Sequence, residues 1–202
     1  MFEKFALFQS HIDLAHNHWK TLVKTGDTVI DATCGNGHDT LVLATLALSA
    51  TSGTLYALDV QSAAIDSSKQ HLQENLPQDV FNRIHFVERC HSQFPPEISH
   101  HSVMLIAYNL GYLPGGDKTE TTTAETTIAS LQKAQQLIKD GGVICITCYP
   151  GHAAGKEEEK RVLAFMKTLE PKQWSCSHHC WTNRNNAPSL VLVQKNIPTA
   201  FR

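Results

Sequence analysis

The sequence has little net charge and no long apolar run near its start, and both absences narrow the possible functions. Of 202 residues, 17 are Lys or Arg and 19 are Asp or Glu, which gives a formal net charge of -2. A nucleic-acid partner would therefore need a local positive patch, because no general positive field attracts it. The opening stretch, MFEKFALFQSHIDLAH, carries Glu3, Lys4 and Asp13. We therefore expect neither a signal peptide nor a membrane span.

Without a secretion signal, the six cysteines are expected to be reduced thiols in a cytoplasmic protein. They are Cys34, Cys90, Cys145, Cys148, Cys176 and Cys180. The C-x-x-C at 145–148 and the CSHHC at 176–180 have the residue types of a zinc site. However, Cys145 and Cys148 lie in a predicted strand, where positions three apart point to opposite faces. We therefore predict no metal site.

The chain shows no internal repeat and no linker, which favours one domain over residues 1–202. Predicted strands are 28–32, 54–59, 84–88, 103–109, 142–149, 174–181 and 189–195. Predicted helices are 9–24, 38–50, 61–76, 121–139 and 155–169. The alternation of strands and helices predicts an α/β fold with a mostly parallel sheet. Only TNRNNAP separates the last two strands, so they should form an antiparallel hairpin.

The stretch VIDATCGNGHDT, residues 29–40, predicts a ligand-binding loop. Asp31 ends the first strand, and Gly35 and Gly37 precede a helix. Ligands of open α/β sheets lie outside the carboxyl ends of the strands, and glycines let the backbone approach them closely. Asp59 ends the second strand, where an acid can accept hydrogen bonds from ribose hydroxyls. The two glycines alone could simply make a tight turn between the strand and the helix. Together with Asp59, however, the loop indicates an adenosine-containing ligand.

The charge of the loop discriminates between such ligands. Dinucleotide folds usually carry a third glycine, because a pyrophosphate sits at the helix N-terminus. Thr40 replaces that glycine here, and Asp39 places a negative charge at the helix start. This charge repels a pyrophosphate and disfavours a nicotinamide-dependent oxidoreductase. Asp31 and Asp39 suit a cationic amino group instead, such as the methionine end of S-adenosylmethionine.

Four stretches together resemble one family. GDTVIDATCGNGHDTLVLA (26–44) resembles the first motif of class I S-adenosylmethionine-dependent methyltransferases. With AH (15–16), NLGYLPGGDK (109–118) and YPGHAAGKEEEK (149–160), the chain is similar to a small bacterial family labelled as rRNA methylases. The resemblance implies a Rossmann-like fold with a mostly parallel seven-stranded sheet, helices on both faces and an antiparallel last strand. Residues 1–25 would form an N-terminal helical cover. Cys34 departs from the usual small loop residue, but Cys is small enough to preserve the loop.

The resemblance also implies a function, because some members methylate the aminomethyl group of a tRNA wobble uridine. The chain would then be an S-adenosylmethionine-dependent RNA methyltransferase that converts 5-aminomethyl-2-thiouridine and releases S-adenosyl-L-homocysteine. Its partner would be the anticodon stem-loop of tRNA. A class I methyltransferase acting on rRNA or on a small-molecule amine is the alternative. A non-catalytic RNA-binding module is disfavoured by the intact loop, acid and Asn109 motifs. A homodimer is compatible with the sequence.

Site residues follow from the loop and from the resemblance. The predicted cofactor-binding residues are His16, Asp31, Ala32, Gly35, Asn36, Gly37, Asp39, Thr40, Asp59, Gln61, Cys90, His91, Ser92 and Asn109. The predicted substrate-binding residues are Tyr112, Leu113, Pro114, Gly115, Lys118, Tyr149 and His152. Asn109, Tyr149 and His152 are the predicted catalytic residues. Asn109 offers a carbonyl and an amide to an amine, Tyr149 could orient the amine or stack on the base, and His152 could accept the amine proton.

Overall fold

Residues 9–111 and 122–198 are described by a computed structural model, and they form seven strands and six helices. The strands are β1 (Thr28–Asp31), β2 (Thr54–Asp59), β3 (Ile84–Glu88), β4 (Val103–Asn109), β5 (Ile138–Cys148), β6 (Trp174–His179) and β7 (Ser189–Lys195). The helices are α1 (His11–Leu22), α2 (His38–Ala47), α3 (Ser62–Asn75), α4 (Gln78–Phe81), α5 (Ala124–Leu137) and α6 (Ala153–Met166).

The strands form one sheet in the order β3-β2-β1-β4-β5-β7-β6. Strands β1 to β5 pair in parallel, whereas β7 runs antiparallel to both β5 and β6. The predicted hairpin and the antiparallel last strand are confirmed. Chain order reverses between β1 and β4, and such switch points are where ligands bind in open α/β sheets.

Apolar side chains cover both faces of the sheet, so helices lie on both sides as predicted. Trp19 of α1 and Leu43 of α2 pack on one face, in a cluster that includes Cys145. Val162 of α6 packs on the other face, in a cluster that includes Cys148. The two thiols therefore point to opposite faces. In the described ranges, no group of three His, Cys, Asp or Glu side chains could hold a metal ion.

Hydroxyl caps explain where α5 begins. Thr123 Oγ1 accepts a hydrogen bond from the backbone N–H of Thr126 at 3.3 Å, and the Thr126 side chain reaches back to Thr123. Thr123 and Thr126 thus cap the start of α5. Of the helices in the described ranges, none is long and apolar enough to cross a bilayer.

Several predicted boundaries were wrong. Helix α5 ends at Leu137 and β5 begins at Ile138, not at 142, because the register shifts near Gly141, whose φ is 79°. Helix α6 begins at Ala153 rather than 155, because His152 caps it. Helix α4 was not predicted; it is a single turn of four residues and too short to show a helical period.

Gly37 permits the close approach of the loop to α3. Its φ is 82°, and a Cβ there would lie 2.7 Å from Leu72 Cδ1 and 2.8 Å from Ser68 Oγ. Both the backbone conformation and the space require glycine.

We expect Gly37→Ala to lower the free energy of unfolding by about 2–4 kcal/mol, since it adds left-handed strain to an overpacked contact. Chemical denaturation measures this loss. Gly151→Ala is the matched control, because a Cβ at Gly151 meets nothing within 4 Å. Equal stability of the two variants would contradict the packing argument.

Candidate functional site

Asp31 lies beneath the loop rather than at its surface. Its side chain is fully buried at the end of β1. One carboxylate oxygen accepts the Thr40 hydroxyl at 2.6 Å, and the other accepts the Thr33 backbone N–H at 3.2 Å. Burial raises the pKa of Asp31 to about 7, and the charges of Asp39 and Asp59 add to the increase. Asp31 therefore fixes the loop and the start of α2 from inside.

Asp59, at the end of β2, lies where the loop meets the next helix. Its Oδ2 accepts the Gly35 N–H at 3.0 Å, and its Oδ1 accepts the Gln61 N–H at 3.0 Å. Each oxygen keeps a lone pair, so the carboxylate can still accept hydrogen bonds from two hydroxyls. The next residue, Val60, is 62% exposed. An exposed apolar side chain beside a hydroxyl-binding acid suits a base attached to a ribose.

Asp39, in the first turn of α2, connects three elements. Its Oδ1 accepts a hydrogen bond from His16 Nε2 of α1 at 2.6 Å. Its Oδ2 accepts one from Asn109 Nδ2, at the end of β4, at 2.5 Å. A carboxylate is favourable near a helix N-terminus, so the start of α2 stabilises Asp39. The carboxylate still gives this part of the crevice a negative charge. The structure brings these three predicted residues together.

The Asn109 side chain has a fixed orientation. Its backbone N–H donates to Thr33 Oγ1 at 2.7 Å, and its amide N–H group faces Asp39. Its carbonyl oxygen Oδ1 is buried and accepts no hydrogen bond from any residue in the described ranges. A buried acceptor without a donor is costly, so a donor from a ligand is expected at this oxygen.

Tyr149 leaves β5 on the same edge of the sheet, next to β4. Its hydroxyl shares a 3.1 Å hydrogen bond with His11 Nε2 at the start of α1. Burial, with help from the charge of Asp39, raises the pKa of Tyr149 to about 12. Burial also lowers the pKa of His11, against the opposing effects of Asp39 and Asp13. Tyr149 is therefore a neutral phenol that can orient a group but cannot act as a base near neutral pH.

His152 caps α6. Its Nδ1 accepts a hydrogen bond from the backbone N–H of Gly155 at 3.2 Å. In a neutral imidazole the other nitrogen then carries the proton, so this tautomer has no lone pair ready for a substrate proton. The general-base role of His152 stays a prediction, and the capping contact argues against it.

Cys90, His91 and Ser92 follow β3, on the outer side of Asp59. Ser92 Oγ donates to Cys90 Sγ at 3.2 Å. The His91 ring is buried against Tyr108, and burial lowers its pKa to about 4. Its side chain faces the core, so a cofactor contact from His91 would have to use its backbone N–H.

Three further loop residues have structural contacts. The Ala32 N–H donates to Ala107 O at 2.9 Å, and Asn36 Oδ1 accepts the Ser67 hydroxyl at 3.1 Å. Gly37 precedes α2 and leaves its first N–H groups without a side-chain cap. The loop backbone is thus held from both neighbouring strands and from α3.

The predicted substrate residues Tyr112, Leu113, Pro114, Gly115 and Lys118 lie outside the described residues. The positions on either side of them are close together. Gly111 N–H donates to Thr122 Oγ1 at 2.9 Å, and the Thr122 hydroxyl donates to Glu158 Oε2 at 2.8 Å. Thr127 donates to the other Glu158 oxygen at 2.6 Å. Burial raises the pKa of Glu158. A buried acid of α6 therefore anchors the flanks of residues 112–121 beside the site.

Four residues of the site were not predicted from the sequence: Thr33, Val60, His11 and Glu158. Val60 carried a usable signal, because an apolar residue follows a strand-end acid in a turn. Thr33 lies within the predicted loop, but nothing marked its hydroxyl as an acceptor. His11 and Glu158 gave no local signal, since their partners lie far away in the chain.

Comparisons with known proteins identify the family to which the chain belongs. Residues 55–195 match the family model described as "Putative rRNA methylase". The chain belongs to this rRNA methylase family. It is 37% identical over 187 residues to an Arabidopsis thaliana protein named "tRNA (mnm(5)s(2)U34)-methyltransferase, chloroplastic", covering 91% of the chain and 68% of that protein.

Two solved structures are similar over nearly their whole length. A "putative rRNA-methylase" from Clostridium thermocellum has a TM-score of 0.87 and 35% identity, covering 93% of this chain and 98% of that one. A "putative methyltransferase" from Streptococcus mutans, in complex with SAH, has a TM-score of 0.79 and 26% identity, covering 93% and 99%. The class I methyltransferase fold, methyltransferase activity and S-adenosylmethionine as cofactor are therefore established for this member of the family.

The residues of the crevice fit this cofactor. Asp59 would hold the ribose hydroxyls, and Val60 would cover one side of the adenine. The open N–H groups at the start of α2 and the Asp39 carboxylate match the two charges of an amino-acid tail. Contacts of individual residues with the cofactor remain predictions, including those of His16, Gly35, Gln61 and the segment after β3.

The buried Asp31 should make stability depend on pH. Its ordinary pKa of 3.8 is raised to about 7 on folding, so the folded chain holds a proton there that the unfolded chain releases. The free energy of unfolding should therefore fall as pH rises between about 4 and 7. Relative to Asp31→Asn, we expect the wild type to lose roughly 2–4 kcal/mol across this range.

Denaturation at several pH values measures the difference. Asp66→Asn, which changes an exposed acid on α3, is the control and should follow the wild type. Parallel curves for the wild type and Asp31→Asn would show that Asp31 is ionised in the folded protein.

Proposed function

We propose that this methyltransferase acts on tRNA and methylates the amine of 5-aminomethyl-2-thiouridine at the wobble position. The observation that carries the proposal is the buried Asn109 Oδ1, which needs a donor at the carboxyl edge of β4. A primary amine supplies such a donor. The curated relative, 37% identical, is named for this same nucleotide, which supports the choice of amine.

Asn109 suits an amine because it is neutral. The amine reacts through its lone pair, and only the unprotonated form has one. A carboxylate at this position would stabilise the ammonium form, which cannot react. Asp39 is close by, but it binds the amide N–H group of Asn109 and so leaves the carbonyl oxygen for the proposed amine. Asp39 thus orients the carbonyl oxygen of Asn109, and the Asn109 side chain separates the Asp39 carboxylate from the amine.

His16 and Thr33 hold this arrangement in place. His16 binds the far oxygen of Asp39, and Thr33 binds the backbone of Asn109. When bound, S-adenosylmethionine supplies a methyl group on a positively charged sulfur. The chain's contribution is mainly alignment, which can supply a large part of the acceleration without a protein base. Tyr149, held by His11, lies one strand away and could orient the base or its amine.

Nucleoside mass spectrometry tests the proposed substrate. We expect the purified protein, given S-adenosylmethionine and tRNA that carries the unmethylated wobble nucleoside, to produce 5-methylaminomethyl-2-thiouridine and S-adenosyl-L-homocysteine. Ribosomal RNA incubated in parallel is the control. Methylation of rRNA without change in the tRNA would overturn the proposal and favour the alternative substrate.

Variants of Asn109 test its role. We expect Asn109→Ala to lower kcat by about 100-fold through misalignment of the amine. Asn109→Asp should also lower the rate and, because a carboxylate raises the pKa of a nearby amine, should move the rise of rate with pH to higher pH. Asn109→Ala should leave that midpoint at the wild-type value or lower. Identical pH profiles for the two variants, measured by methyl transfer to tRNA, would show that Asn109 does not face the amine.

A further inference from the structure

A cavity lies on the same edge of the sheet as the candidate site. It has a volume of about 460 Å³ and lies between the start of α1 and the hairpin that joins β6 to β7. His11 and Leu14 line it from α1, and Trp181, Asn183 and Arg184 line it from the hairpin. This volume is in the range of small-ligand sites. The cofactor and amine sites proposed above do not use this cavity.

Strand order separates this cavity from the cofactor crevice. The crevice lies at the tips of β1 and β2, Asn109 ends β4, and the hairpin lies beyond β5 and β7. His11 bonds Tyr149 at the tip of β5, so the cavity and the candidate site share a wall. Three strand spacings separate β4 from β6, which puts the hairpin about 14 Å from Asn109. That is too far for the base that carries the amine but suits the next nucleotide.

The cavity has the chemistry of a nucleobase site. The Arg184 guanidinium lies over the Trp181 ring, 4.3 Å from its centre. Planar aromatic and guanidinium groups are the surfaces on which unpaired bases stack. No acidic side chain is among the described residues that line it, so none of these side chains repels a phosphate. Asn183 adds donor and acceptor groups for a base edge.

We propose that this cavity binds the base of a nucleotide adjacent to the methylated one, stacked against Trp181 and Arg184. The inference rests on the proposed RNA substrate and adds a specificity site to it. In a protein with little net charge, this site would provide local recognition that the overall field does not. The flanking base also keeps the methylated nucleotide turned towards Asn109.

The proposal is tested by changing Trp181 in the protein and a flanking base in the RNA, first separately and then together. The RNA is an anticodon stem-loop in which each nucleotide flanking the wobble position is replaced, in turn, by an abasic residue. Trp181→Ala should weaken binding of the intact RNA by about 10- to 100-fold, the range expected from loss of base stacking. An abasic residue at one flanking position should weaken wild-type binding similarly, and the two changes together should cause little further loss.

Controls separate a binding effect from misfolding. Trp181→Phe should keep most of the affinity, because it keeps a stacking surface. Lys172→Ala, which removes an exposed cation near the opposite end of β6, should leave RNA binding unchanged. Affinity for S-adenosylmethionine should be the same in every variant, which shows that the sheet and crevice remain folded.

The results distinguish this proposal from the proposed function. If the wild type methylates the RNA but Trp181→Ala binds it equally well, or if the two losses simply add, the cavity proposal is wrong and the function stands. If the wild type neither binds nor methylates the stem-loop, both are wrong. Loss of affinity that appears only with the flanking base present supports the cavity proposal.

Discussion

The hydrogen bonds of Asp39 to His16 and Asn109 are the contacts on which the whole site depends. They join α1, α2 and β4, three elements that are distant in the sequence. The carboxylate gains from the helix N-terminus beside it, and its charge makes the crevice unsuitable for a pyrophosphate. The same contact orients the amide of Asn109. One acid would therefore set both the class of ligand and the direction of the proposed acceptor, Asn109 Oδ1.

Sheet topology separates the two proposed binding sites along this edge. The crevice proposed for the cofactor lies where β1 and β2 end. The cavity lined by His11 and Trp181 lies where β5 and β6 end, with β4 between the two sites. The antiparallel β7 makes this possible, because it lets β6 return parallel to β5. The β6 tip then reaches the functional edge. A sheet with a parallel last strand would put the hairpin elsewhere.

Local sequence patterns predicted which residues lie at the ends of the strands. They could not predict the contacts between residues that are distant in the chain. Asp31, Asp59 and Asn109 end apolar runs, so their place at one edge followed from the parallel sheet. Their bonding partners did not: His11 and Tyr149 are 138 positions apart, and no periodicity links them. The cap made by His152 was missed for a related reason, since a His at the end of a central strand invites a catalytic interpretation. Residue type indicates chemical capability, whereas packing decides which capability is used.

The buried Asp31 carboxyl group lowers the stability of the fold in order to hold the loop. Burying a carboxyl group removes it from water, which disfavours its charged form and raises its pKa. An apolar residue would avoid the penalty but could not bind both Thr40 and the backbone of Thr33. Those two bonds fix the loop between β1 and α2, where the cofactor is expected to bind. The destabilising acid is retained because the loop must be rigid at this position, and Gly37, which cannot carry a side chain there, obeys the same constraint.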